Sequence, residues 1–171
     1  MKKETNLDDV EELKNLLEDA NVDTNLWNVE KGRWAAIHFA ALNGNGSIVE
    51  TLLNDTKTNV DAKNEVGRTA LHIAAENRKT KAAEILVDRG AMINSTDLDG
   101  STALHIAAFK GDVDMLDMLI KKNAAMNIQN KSGRLAVHLA AINNRKDAMM
   151  RLLKEEQDQS ALCETLLQLG Y

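Results

Sequence analysis

An all-α solenoid of stacked helix-turn-helix units is the fold that this sequence predicts, and three observations predict it. The heptapeptide TALHIAA stands at residues 69–75 and again at 102–108. The four histidines, His38, His72, His105 and His138, recur at spacings of 34, 33 and 33 in one frame: AAIHFAA, TALHIAA, TALHIAA and LAVHLAA. Ten residues after each histidine, apolar residues begin at offsets 0, 1, 4 and 5, which share one face of a helix. A fixed period of this length marks a repeat architecture, in which each unit is too small to bury a core alone and stacking supplies the missing face.

The elements follow in order. Residues 1–30 hold nine acids against Lys2, Lys3 and Lys14, a net −6 within a chain of net charge −5, so the rest carries a slight positive excess. Leu13, Leu16 and Leu17 fit three of the four core columns of a second helix. These residues therefore predict an acidic half-repeat cap, with most acids early in the helix where the macrodipole favours them. Four repeats are expected over about 31–63, 64–96, 97–129 and 130–157. Each opens with a turn and a glycine slot (Gly67, Gly100, Gly133; Arg33 after Gly32 in the first). The first helix then carries the histidine and an alanine pair: Ala40–Ala41, Ala74–Ala75, Ala107–Ala108 or Ala140–Ala141. Small side chains there let neighbouring helices approach closely. The second helices carry the apolar sets Ile48, Val49, Leu52, Leu53; Ala82, Ala83, Leu86, Val87; Met115, Leu116, Leu119, Ile120; and Ala148, Met149, Leu152, Leu153. Gly90 and Asn123 stand where a helix ends in a left-handed residue. Residues 158–171 predict a capping helix with Ser160 as N-cap and Ala161, Leu162, Leu166 and Leu169 on its apolar face, with Cys163 packed beside them.

The stretches GRTALHIAA, GSTALHIAA and RGAMIN carry a resemblance to the ankyrin repeat family, strongest over residues 28–157. The family pattern is a turn, then T-P-L-H-x-A-A, then a second helix ending near G-A-x-x-N. Here Ala36, Ala70, Ala103 and Ala136 replace the proline. The threonine is Ala35 in the first repeat and Leu135 in the fourth, and the fourth repeat lacks G-A-x-x-N. The resemblance implies a threonine hydroxyl on the rings of His72 and His105, and no such bond for His38 and His138. It also implies a concave side lined by extended turns and the outward faces of the first helices.

Several function classes are disfavoured. The histidines fall in equivalent sites roughly 10 Å apart at the spacing of packed helices, too far to share an ion with bonds of about 2 Å. No nucleophile, base and orienter come together, and the GNGS stretch at 44–47 lacks the lysine of a phosphate loop. The expectation is a chain with no catalytic residues, no metal, no cofactor and no small-molecule substrate. A net charge of −5 argues against nucleic acid. The N-terminus has no apolar stretch behind its lysines and no apolar run is long enough to span a bilayer, so no membrane partner is expected. Cys163 is the single cysteine, which reads as a reducing, intracellular setting, cytoplasmic or nuclear.

A binding protein remains. The residue after each glycine slot is Trp34, Arg68, Ser101 and Arg134. After each alanine pair come Leu42, Glu76, Phe109 and Ile142, then Asn43, Asn77, Lys110 and Asn143. Turn tips include Trp27, Glu65, Asp97, Asp99, Gln129 and Lys131. These columns vary from repeat to repeat while the core columns do not. Varied surface on a constant scaffold is what a binding protein requires. The predicted partner-binding set is Trp34, Leu42, Arg68, Glu76, Asp99, Ser101, Phe109, Lys110, Arg134, Ile142 and Asn143. Aromatics and arginine are favoured anchors, although Trp34, Phe109 and Ile142 also suit packing between helices. Size and fold resemble ankyrin inhibitors of cyclin-dependent kinases, inhibitors of Rel-type transcription factors and regulatory subunits of kinase complexes. The expected role is a regulatory subunit or inhibitor acting by binding alone, with a cell-cycle protein kinase complex as first partner. A transcription-factor inhibitor, a secreted microbial effector and a cryptic enzyme stand as alternatives.

Overall fold

In the computed structural model the described residues are 23–25, 28 and 32–155. They form eight helices: α1 Ala36–Asn43, α2 Gly46–Asn54, α3 Ala70–Glu76, α4 Thr80–Asp88, α5 Ala103–Lys110, α6 Val113–Lys121, α7 Ala136–Ile142 and α8 Lys146–Glu155. These are the four helix pairs expected from the histidine period. The cap helix expected within residues 1–30, Trp27 and the capping helix of 158–171 lie outside the described residues. The chain divides into two compact units, Met1–Met92 and Ile93–Tyr171. In the first, α1 packs on α3 and α2 on α4, with each pair closed by α1 on α2 and α3 on α4. The second repeats this scheme: α5 on α7, α6 on α8, α5 on α6 and α7 on α8.

No helix here exceeds 10 residues, and isolated helices of that length are marginal in water. Stacking must therefore hold them. The first helices are buried nearly all round: residues 70–75 and 103–108 are buried without a break. Ala41, Ala74, Ala75, Ala107, Ala108 and Ala140 have no exposed surface, as close helix approach demands. The ends are capped locally. Asn45 Oδ1 accepts from Ile48 N at 3.2 Å, and Asp112 Oδ1 accepts from Met115 N at 3.2 Å. Gly90 (φ 90°) and Asn123 (φ 62°) take the expected left-handed conformation.

One expected core column is corrected. Leu53, Val87, Ile120 and Leu153, at offset five, are only half-buried. Offset three is buried instead, in Thr51, Ile85 and Met118. The reason is the direction of stacking, since the offset-three side of a second helix faces the second helix before it. A Cβ added to Gly46 would lie 2.8 Å from Ile85 Cδ1, and Arg151, at offset three of α8, pairs with Asp117 of α6. Thr51 is tolerated there because its hydroxyl donates to Ser47 O at 2.8 Å.

The turns are built on one hydrogen-bonded frame. Asn64, Asp97 and Asn130 each open a turn whose amide donates to the carbonyl of residue i+4, in Arg68, Ser101 and Arg134. Their side-chain oxygens accept two backbone amides each, Val66 and Arg68, Asp99 and Ser101, Ser132 and Arg134. Successive turns are tied within each unit: Glu65 N donates to Gly32 O at 3.0 Å, and Lys131 N to Asp99 O at 2.9 Å. Gly100 pays for that closeness with its side chain. Its φ is 73°, and an added Cβ would lie 3.0 Å from Lys131 N. Gly133 has φ 72° but nothing within 4 Å of such a Cβ. Gly100→Ala is therefore expected to destabilise by about 1–3 kcal/mol, from strain and contact together. Gly133→Ala meets strain alone and should cost less. Urea unfolding midpoints of the two variants check the order.

Candidate functional site

The histidine column is the most constant feature of the sequence, and its chemistry is internal. All four rings are buried. His38 Nδ1 accepts from Ala35 N at 3.0 Å, and its Nε2 lies 3.0 Å from Ala62 O and 3.1 Å from Arg68 O. An Nδ1 that accepts leaves the proton on Nε2, so the ring donates to carbonyls of the next turn. His105 repeats this, with Nδ1 facing Thr102 N at 3.2 Å and Nε2 reaching Arg134 O at 3.0 Å. The threonine hydroxyls stand 2.9 Å from Nδ1 in His72 and His105, as the resemblance implied. Where alanine or leucine replaces threonine, the backbone amide suffices: Leu135 N donates to His138 Nδ1 at 3.0 Å. Each ring thus clamps the start of its own helix, and in His38 and His105 also the turn of the following repeat. Burial pushes the pKa of both His38 and His105 below the ordinary value; carbonyl hydrogen bonds, and for His105 also Asp97, oppose it. Both rings are therefore neutral at pH 7. Among the described residues no group of three or more His, Cys, Asp or Glu side chains could hold a metal ion.

The outward columns differ in kind. In the first unit Trp34 is half-buried and packs on its own helix, its ring centroid 5.8 Å from that of His38 and 5.2 Å from that of Phe39. Leu42 is half-buried. Arg68 and Glu76 meet each other, Nη1 to Oε2 at 2.7 Å, across eight residues of sequence. The glycine-slot column and the column after the alanine pair therefore lie along one face, within reach of a single side-chain pair.

In the second unit that face is open. Phe109 and Ile142 are each 45% exposed, and Arg134 and Asp99 are exposed, with Ser101 and Lys110 half-buried. Arg145 Nε donates to Phe109 O at 3.1 Å, which sets the fourth repeat's inter-helix turn beside Phe109. Asn143 is half-buried and its amide donates to Leu139 O at 2.8 Å, as Asn77 does to Ile73 O. These amides close their own helices.

Two corrections bear on the turn tips. Asp97 is not a tip but part of the constant frame, 8% exposed with one carboxylate oxygen holding two amides. The tips are the two residues between the frame residue and the glycine, which brings in Val66 at 46% and Leu98 at 58% exposure. The sequence carried the signal: Asn64, Asp97 and Asn130 are spaced by 33 and each precedes a glycine by three.

Helix pairs, turn ladder and clamped histidines meet a direct match in sequence. A family described as ankyrin repeats, in three copies, matches residues 3–97 and 92–163. The chain belongs to the ankyrin repeat family. Ankyrin repeats are protein-protein interaction modules and are typically non-catalytic. Among curated relatives, diacylglycerol kinase iota of Mus musculus is 40% identical over 68 residues, 39% of this chain and 6% of that protein. The human protein of the same name is 41% identical over 63 residues, 36% of this chain and 6% of that protein. The BTB/POZ domain and ankyrin repeat-containing protein NPR2 of Oryza sativa subsp. japonica is 33% identical over 92 residues, 54% of this chain and 13% of that protein. The chain spans only a small fraction of the length of these relatives, and the kinase match covers its ankyrin region alone. Among the described residues no helix is long and apolar enough to cross a membrane.

Proposed function

We propose that this ankyrin chain is a non-catalytic regulatory subunit or inhibitor that captures a partner protein on the outward columns of its first helices, with a protein kinase complex of the cell-cycle type as the first partner to test. The observation that carries the binding surface is the contrast between a turn frame shared by repeats two to four and outward positions that change. Phe109 and Ile142 are half-exposed apolar residues on that face in an aromatic-poor chain. What supports the regulatory role is the fold, four helix pairs with a varied outward face and no metal-binding cluster among the described residues. A single cysteine fits a reducing intracellular setting.

Phe109 makes the cleaner test than Trp34, because Trp34 also packs on His38 and Phe39. Affinity capture from native cells with mass spectrometry identifies the partner, and purified partner then gives a dissociation constant. Phe109→Ala is expected to weaken binding about 30-fold or more, the effect of a buried anchor worth about 2 kcal/mol, with the helical circular dichroism spectrum unchanged. Changing Lys121 and Lys122 at the end of α6 should do little. Loss of binding on the lysine changes with none on Phe109→Ala places the partner on another face, and a captured partner that is no kinase removes the kinase assignment.

A further inference from the structure

We infer that the second unit's open face takes an acidic segment of the partner protein, with one carboxylate on Arg134 and a neighbouring apolar side chain on Phe109 and Ile142; this rests on the binding role proposed above. Repeats two and four supply an internal comparison. Helix α3 (Ala70–Glu76) and α7 (Ala136–Ile142) have the same length, and the residues before them share one backbone, φ −87° and ψ 171° at Thr69 against φ −79° and ψ 165° at Leu135. Arg68 and Arg134 precede these residues and hold the same place on the turn frame, each carbonyl accepting from the frame residue four earlier.

In repeat two the guanidinium is met by Glu76, eight residues on, at 2.7 Å. In repeat four the residue eight on is Ile142, 45% exposed, and among the described residues Arg134 has no carboxylate partner. Glu76 thus shows where a carboxylate sits on this arginine, and repeat four leaves that place to a carboxylate from outside. Helix α5 packs on α7, so Phe109, in the same column as Ile142, offers an apolar neighbour. Lys131 at the adjacent turn tip is exposed and Lys110 follows Phe109, which adds positive charge around the apolar pair. Asp99 is the exposed acid nearby in the turn series. An arginine fork accepts a planar carboxylate with two parallel donors. The apolar pair favours a peptide over a nucleic-acid strand, as does the overall negative charge.

The test pans a random dodecapeptide display library on the purified full chain, followed by affinity measurements on the enriched peptides as synthetic probes. Expected are peptides that pair Asp or Glu with Leu, Ile or Phe. They should bind Arg134→Glu at least about tenfold more weakly, lose affinity on Ile142→Ala, weaken with salt, and bind Lys81→Gln, an exposed change on the second helix α4, as they bind the parent chain. Enriched peptides that are basic or uncharged yet still depend on Phe109 overturn the acidic assignment and leave the binding face standing. Peptides indifferent to Arg134→Glu, Ile142→Ala and Phe109→Ala overturn both. Absence of enrichment over the blank support overturns the peptide assignment alone, because whole partner proteins test the face. Tighter binding of a single-stranded oligonucleotide than of any enriched peptide also overturns it.

Discussion

Leu119→Ala is expected to destabilise the protein by about 2–5 kcal/mol, while Ile120→Ala, one residue on, should cost markedly less. Both residues were legible as one apolar stripe. The structure separates them: Leu119 has no exposed surface, and Ile120 is half-buried. Leu119 is fully buried on α6, a helix that packs on both α5 and α8, so truncation leaves a cavity that the packed helices resist closing. At about 2–4 °C per kcal/mol for a chain of this size, thermal unfolding resolves the two. Equal shifts for the two variants would show that offset five carries as much of the core as offset four, against the stacking direction described for α6 and α8.

His105→Ala is expected to lower stability by about 1–3 kcal/mol for each buried group it leaves unpaired. The Thr102 amide loses its acceptor and the Thr102 hydroxyl the ring it faces, and Arg134 O loses one of its two donors, keeping that from Asn130 N. Both ends of the clamp fail together, which is why the effect should exceed that of a surface change. Acid tests the same clamp without mutation. Burial lowers the folded-state pKa of His38 and His105 below the ordinary value of about 6.5. The unfolded chain then binds protons first, so their contribution is fully present above pH 6.5. It is lost as pH falls from there toward the folded-state values, by up to about 1.4 kcal/mol per pH unit for each ring. Urea unfolding at pH 7.5 and 5.5, a window above most carboxylate titration, should show the fall, and His105→Ala should show less of it. A parent chain as stable at pH 5.5 as at 7.5 would contradict the neutral, buried ring.

The period decided most of the architecture before any coordinates. A histidine, an alanine pair and a glycine that recur in register leave one economical solution, because each unit's apolar surface must be covered by an identical neighbour. The helix pairs and the left-handed ends at Gly90 and Asn123 were readable this way, and the threonine contacts of His72 and His105 followed from the resemblance to ankyrin repeats. The outward columns were readable as variable.

Tertiary structure alone decided what those columns do. A stripe of offsets 0, 1, 4 and 5 does not say which flank of a helix meets the helix before it. Only the packing of Ile85 against Gly46 puts offset three inside and offset five near the surface. Nor does a column of variable residues say which are already engaged. Arg68 and Arg134 are equivalent letters in the repeat, but one is held by Glu76 and the other has Ile142 at the position Glu76 takes. Asp97 looked like a variable tip because it replaces asparagine, yet its carboxylate oxygen does the frame's work. Sequence periodicity reports which positions are equivalent. Which side-chain atoms meet depends on rotamers and on neighbours more than 30 residues away, and those distances exist only once the repeats are stacked.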